Sequence, residues 1–353
     1  MHRDKPMNDN FRAYPFKFTG NGGEYFRIWI VNLALSVLTL GIYSAWAKVR
    51  RKRYFLNHTL LDEHNFDYLA DPIAILKGRL VAFALFALYV LLQQTLPWLS
   101  ALLLAAFYLV MPWIVVRSLQ FNARNCSYRA LRFDFAGDLG EAYRIYVGWG
   151  LLTLITLGLA LPYLVYRKTA FTAGNHAYGA TRFSFQGQSS PFFGIFLKAS
   201  LIALVPLVAL VAGGITLATL EHEGPVGITE VLGTLGVGLL LLYSALPIAA
   251  AYINARIARL AFLGTRFGEL GFAGRHTARA LIGLYLSNLI LIILTLGLYI
   301  PWAQVRSAQF WLDNLAVVGP ERALDRFVVA ASMDVAATGG EMAEVFDVDL
   351  SLA

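Results

Sequence analysis

Apolar and polar stretches alternate along this chain in five blocks. The first runs from about 25 to 47, the third from about 143 to 166 and the fifth from about 280 to 304. Each is near the roughly 20 residues that one helix needs to cross about 30 Å of hydrocarbon. The second block, about 79–116, and the fourth, about 192–252, are too long for one span. They are interrupted at Gln93-Gln94-Thr95-Leu96-Pro97 and at Glu221-His222-Glu223-Gly224-Pro225, so each predicts a helical hairpin. The pattern predicts an all-α polytopic membrane protein of about seven transmembrane helices, at 25–47, 79–96, 98–116, 143–166, 192–220, 228–252 and 280–304. A polar segment, 1–24, precedes this repeat-built domain of 25–319 and lacks the apolar core of a cleaved signal. From 320 to 353 the chain turns acidic and Ala/Gly-rich (Glu341, Glu344, Asp347, Asp349), which reads as a soluble tail.

Composition agrees with the pattern. Of 353 residues, 58% are hydrophobic and only 14% charged, where soluble domains are nearer half apolar and a quarter charged. The formal charge of +7 would suggest a nucleic-acid partner in a soluble protein. Here the basic residues gather in the connectors, most densely at Lys48-Val49-Arg50-Arg51-Lys52-Arg53, as a bilayer requires. No nucleic-acid partner is expected, and the single Cys126 excludes an internal disulfide.

Internal repetition lies in the connectors. PWIVVRSLQFNARNCSYRALRFDFAG from Pro112 and PYLVYRKTAFTAGNHAYGATRFSFQG from Pro162 share one register, pairing Arg117 with Arg167, Phe121 with Phe171, Asn125 with Asn175 and Gly137 with Gly187. A third copy follows the first block, a degenerate one starts at Pro247, and PWAQVRSAQFWLDN opens from Pro301. Proline at a first helical position wastes no donor, and Trp or Tyr beside it prefers the headgroup level. Each connector therefore predicts a short interfacial helix anchored by Trp46 and Arg50, Trp113 and Arg117, Tyr163 and Arg167, or Trp302 and Arg306. Its ending, RFxFxG, alternates and stops at glycine, which predicts short β-strands in the connectors. With seven crossings these connectors face both sides of the membrane; keeping them on one side would make the three short blocks re-entrant.

The single-span blocks resemble one another too: Thr-Leu-Gly recurs at 39–41, 156–158 and 295–297. Asn32, Ser36 and Thr39 share one helical face, and Asn288 and Thr295 keep that spacing. Such a polar stripe lines a water path or packs helices together through hydrogen bonds.

The stretch from Phe16 to Phe55, FKFTGNGGEYFRIWIVNLALSVLTLGIYSAWAKVRRKRYF, is repeated in outline near 143–171 and 281–310. It resembles the YjgN-like family of bacterial inner-membrane proteins, a domain-of-unknown-function family. The resemblance implies a multi-pass protein of the bacterial inner membrane and carries over no chemistry.

Catalytic constellations are sparse. Gly20-Asn21-Gly22-Gly23 is followed by Glu24, which repels phosphate, and no G-x-S-x-G or H-E-x-x-H occurs. Asn57, His58, Asp62, Glu63, His64 and Asp67 form the one cluster with metal-type donors, and a solvated loop is the simpler account of it. Glu24 with Arg27 and Glu141 with Arg144 have the spacing of helical ion pairs, and GTLGVG at 233–238 suits close helix packing. No enzyme activity, metal or cofactor is expected. The polytopic repeats and polar stripes lead to a transporter- or channel-like protein for a small solute. The alternative is a membrane scaffold or lipid-interacting protein, with anionic headgroups as partners.

Overall fold

The RFxFxG segments and their neighbours are strands. In the computed structural model of the protein, which describes residues 11–329 apart from 180, 225, 226 and 322, they do not lie as isolated ribbons. Ten strands pair: β1 (Phe11–Phe18), β2 (Thr59–Leu61), β3 (His64–Tyr68), β4 (Cys126–Tyr128), β5 (Leu131–Phe135), β6 (His176–Tyr178), β7 (Thr181–Phe185), β8 (Thr265–Phe267), β9 (Leu270–Gly274) and β10 (Leu315–Pro320). Every neighbour is antiparallel, and β1 pairs with both β2 and β10, so the sheet closes into a barrel with no free edge. Two-residue turns join β2 to β3 and β4 to β5. Asp62, Glu63, Arg129 and Ala130 all take positive φ there, the turn whose twist matches that of the strands.

The barrel is filled. Tyr14, Phe16, Leu61, Tyr128, Tyr178, Phe267 and Val317 are buried inside it, joined by Leu324 and Phe327 from a helical stretch at 323–329. About 90 Å³ of apolar space is left among them. Tyr128 Oη donates to Leu61 O at 2.9 Å and Tyr178 Oη to Tyr128 O at 2.8 Å, and burial pushes both phenols up to about 12. The FxG ending has a steric cause. At Gly137 and Gly187 a Cβ would come within 2.5 Å and 2.4 Å of the rings of Phe135 and Phe185.

Between the strand pairs the chain makes helices. They are α1 (Gly22–Leu38) and α2 (Ser44–Asn57); α3 (Pro72–Thr95) and α4 (Pro97–Arg124); α5 (Leu139–Tyr143), a π-helical stretch Arg144–Trp149, α6 (Gly150–Ile155) and α7 (Leu161–Gly174); α8 (Ser190–Glu223) and α9 (Ile228–Gly264); and α10 (Ala278–Leu294) and α11 (Ile300–Asp313). Antiparallel order sends alternate connections to opposite ends of the barrel. The tight turns therefore lie at one end, and all five helical units leave from the other. The same backbone bond closes each unit: Thr19, Leu69, Ala136, Gln186 and Arg275 donate to the carbonyls of His58, Asn125, Asn175, Gly264 and Asn314. Asn125, Asn175 and Asn314 also cap their helices, each Nδ2 donating to the carbonyl four residues back.

These observations overturn the all-α, seven-span expectation. The short strands expected in the connectors close into a ten-stranded barrel. Only α3, α4, α8 and α9 are, among the described residues, long and apolar enough to cross a membrane. At 1.5 Å per residue α3 is about 36 Å long and α4 about 42 Å. The blocks 25–47, 143–166 and 280–304 do not each form one helix. Each turns at its Thr-Leu-Gly, where Leu40, Leu157 and Leu296 and the glycines after them take positive φ, and comes back. Length and apolarity counted the turn as helix. Pro112, read as a helix start, lies inside α4. The acidic tail from 330 lies outside the described residues, whereas β1 occupies part of the polar N-terminal segment.

Candidate functional site

The three Thr-Leu-Gly tips share one hydrogen-bond pattern. Thr39, Thr156 and Thr295 Oγ1 each donate to the carbonyl four residues back, at 2.7 Å. Each also accepts from the amide four residues on: Tyr43 at 2.9 Å, Ala160 at 3.2 Å and Tyr299 at 3.0 Å. The leucine and glycine amides of each turn bond back into the preceding helix, as in a Schellman motif. Backbone satisfied in this way tolerates hydrocarbon, and the tip leucines Leu40, Leu157 and Leu296 are each 95% exposed. Thr39 and Thr295, two members of the expected polar stripe, thus serve the turns.

Most of the anchor residues bond within their own hairpins, whereas Trp302 reaches across to Phe26 of α1. Asn288 is buried; its Oδ1 accepts from Arg306 Nη1 at 2.8 Å, and its Nδ2 faces Ala303 O and Ser307 Oγ. Arg306 also reaches Tyr299 Oη and Ser287 Oγ. Arg50 donates to Tyr43 Oη at 3.0 Å. Arg167 pairs with Glu141 at 3.1 Å, where the sequence suggested Arg144. Glu24 lies against His58 and Tyr54. Arg117 bonds Gln120 and lies over Trp113. Trp46 stacks on Tyr43, Tyr163 meets Trp149, and Trp302 stacks between Phe26 and Tyr299. In the third hairpin, Tyr108 Oη from α4 donates toward the carbonyls of Tyr146 and Val147 in the π-helical stretch, where the wider turn loosens the ladder.

Two cavities open between the helical units and meet at Arg51. The larger, about 840 Å³, lies among α9, α10 and α11 and is mostly apolar, with Arg51, Asn254, Asn288, Gln304 and Ser307 as polar points. The smaller, about 390 Å³, lies among α1, α2 and α3. Lys48, Arg51 and Arg79 line it together with Asn32, Ser36 and Ser44. Arg79 Nη1 donates to Ser44 Oγ. Among the described residues no carboxylate pairs with any of the three cations. Asn32 is 7% exposed, and its Oδ1 has no partner. Sequence reasoning brought Asn32 and Ser36 to one face but did not join the cations to them, reading Arg50 as an anchor and the rest of the run 48–53 as basic residues gathered in a connector. The discriminating signal is a difference from the last hairpin. Arg50 recurs as Arg306, while Lys48 and Arg51 face Gln304 and Ser307 at the matching positions.

The remaining candidates have structural partners. Asp62 joins Arg129, which also binds Asp325, at the barrel's far end. His58 Nδ1 contacts Tyr54 O, and His64 Nδ1 contacts Asp62 O. Among the described residues no three His, Cys, Asp or Glu side chains converge as metal ligands would. Near 233–238, Gly238 packs against Leu210, and Thr234 packs against Gly213. Burial pushes the Cys126 thiol up, against the pull of Lys52.

Comparison with known proteins gives a consistent picture. A family model described as bacterial protein of unknown function (DUF898) matches residues 13–345. The chain is 30% identical over 141 residues to inner membrane protein YjgN of Salmonella typhimurium, covering 40% of this chain and 36% of that protein. The proteins of the same name from Escherichia coli O157:H7 and Escherichia coli K12 are 28% and 27% identical over 124 residues, covering 35% of this chain and 31% of each. The aligned region thus spans about a third of the length of these curated relatives. No solved structure matches the chain.

Proposed function

We propose a role for a chain that belongs to the DUF898 family of bacterial proteins of unknown function and is an inner-membrane protein: it engages lipid, as a multi-pass membrane scaffold, rather than conducting a solute. In this reading α3 with α4 and α8 with α9 cross the bilayer as two hairpins. The three shorter hairpins enter the leaflet nearest the barrel, and the five helical units are internal repeats. The observation that carries the reading is the tip geometry. Three turns satisfy their own backbone and present a bare leucine, which suits hydrocarbon and would be a poor surface in water. The aromatic filling of the barrel favours lipid contact over a path along its axis. The reading assigns no catalytic step.

Reconstitution into liposomes tests it, with a panel of small solutes and a parallel assay of co-purified lipid. The expected result is tightly retained lipid and no flux. Uptake of any solute that is lost in folded Asn32→Leu/Asn288→Leu protein would replace this reading with transport.

A further inference from the structure

Three cations without carboxylate partners among the described residues are costly beside a bilayer core. Lys48, Arg51 and Arg79 nevertheless converge on one cavity of about 390 Å³. Lys48 and Arg79 have no basic counterpart at the matching positions of the other units, and Arg51 has only Lys168. Beside them Asn32, more than nine-tenths buried, lines the same cavity. The pocket therefore lacks an anion for the cations.

We propose that this cavity binds the phosphate of an anionic phospholipid whose headgroup carries no ammonium, the glycerol type. Lys48, Arg51 and Arg79 hold the phosphate oxygens by charge-assisted bonds. Charge selects the headgroup: three cations repel an ammonium. The adjoining cavity of about 840 Å³, apolar over most of its lining and sharing Arg51, gives an acyl chain a place beside the headgroup. The assignment deepens the lipid reading and rests on it. A soluble phosphate ester offers the same phosphate chemistry without the chain.

Native mass spectrometry on the full-length protein in detergent separates these sources. The ligands are short-chain phosphatidylglycerol, phosphatidylethanolamine and phosphatidylcholine, with glycerol 1-phosphate and inorganic phosphate as soluble competitors. The wild type is expected to hold phosphatidylglycerol most tightly. Arg51→Gln with Arg79→Gln is expected to weaken retention roughly ten-fold or more. Lys48→Gln is expected to weaken it several-fold, and Arg132→Gln on the exposed barrel wall leaves it unchanged. The single Lys48→Gln variant keeps the test open if the double variant does not fold. Wild-type retention in the folded cavity variants would overturn the site and leave the general lipid reading standing. Displacement by glycerol 1-phosphate or inorganic phosphate at the concentration at which the short-chain lipid binds would overturn the lipid source. A wild type that retains no lipid and moves a solute would overturn the lipid reading itself.

Discussion

The hairpins α1/α2 and α10/α11 are built on one plan and end differently. Asn32, Thr39, Tyr43 and Arg50 of the first match Asn288, Thr295, Tyr299 and Arg306 of the last, and both tips turn through the same bonds. In α10/α11 the arginine bonds Asn288 Oδ1 and closes the hairpin on itself. In α1/α2 the arginine stops at Tyr43, Asn32 Oδ1 stays unpaired, and Lys48 and Arg51 stand where the other hairpin has Gln304 and Ser307. Repeated residues hold the plan, and unrepeated ones open it to a ligand.

Cutting the matched arginines breaks or sharpens this contrast most strongly. Arg306→Leu strands a buried Asn288 acceptor and should cost about 1–3 kcal/mol. Arg50→Leu removes an exposed bond to a phenol and should cost about 0.5 kcal/mol or less. Thermal denaturation in detergent measures both, and equal losses would remove the contrast. Thr39→Val and Thr295→Val should behave alike instead, each losing about 1 kcal/mol, because the two tips carry the same bonds. A large difference between them would show that the tips sit in unlike surroundings.

The smallest expected effect is pH dependence confined to the last hairpin. His276 stands where the first hairpin has Gly20. It is buried among Phe262, Phe310 and Trp311, its Nε2 lies 2.8 Å from Trp311 O, and its Nδ1 is unpaired. Burial chiefly, with some repulsion from Arg259, pushes its pKa below the ordinary 6.5, against the pull of the Trp311 carbonyl. The unfolded chain then binds the extra proton first. The contribution is complete above 6.5 and is lost as pH falls below it toward the folded value. Unfolding midpoints measured downward from pH 8 should decline in the wild type and decline less in His276→Gln.

How much of this was legible follows from what each signal measures. The Arg117/Arg167 and Asn125/Asn175 register located the recurring helix ends, and RFxFxG located strands, because caps and alternation are local. Barrel closure was not legible. It depends on β1 meeting β10 across nearly the whole chain, and no local pattern reports that pairing. The turn-back at Leu40 was hidden because an apolar residue with positive φ looks like helix to any hydrophobic count. Lys48 and Arg51 were read as a charge run because their convergence with Arg79 and Asn32 exists only once α1, α2 and α3 pack. The stripe at Asn32 and Ser36 was visible, while its neighbours across the cavity were not.

The account depends on all five helical units leaving one end of the barrel, so that every strand lies on the same side of the membrane. In a Cys126→Ser background, Arg132→Cys on β5 and Arg182→Cys on β7 place exposed thiols on strands separated only by β6. A membrane-impermeant maleimide applied to oriented vesicles should label both from the same face and neither from the other. Labelling of Arg132→Cys from one face and Arg182→Cys from the opposite face would contradict the barrel and restore a chain that crosses between them.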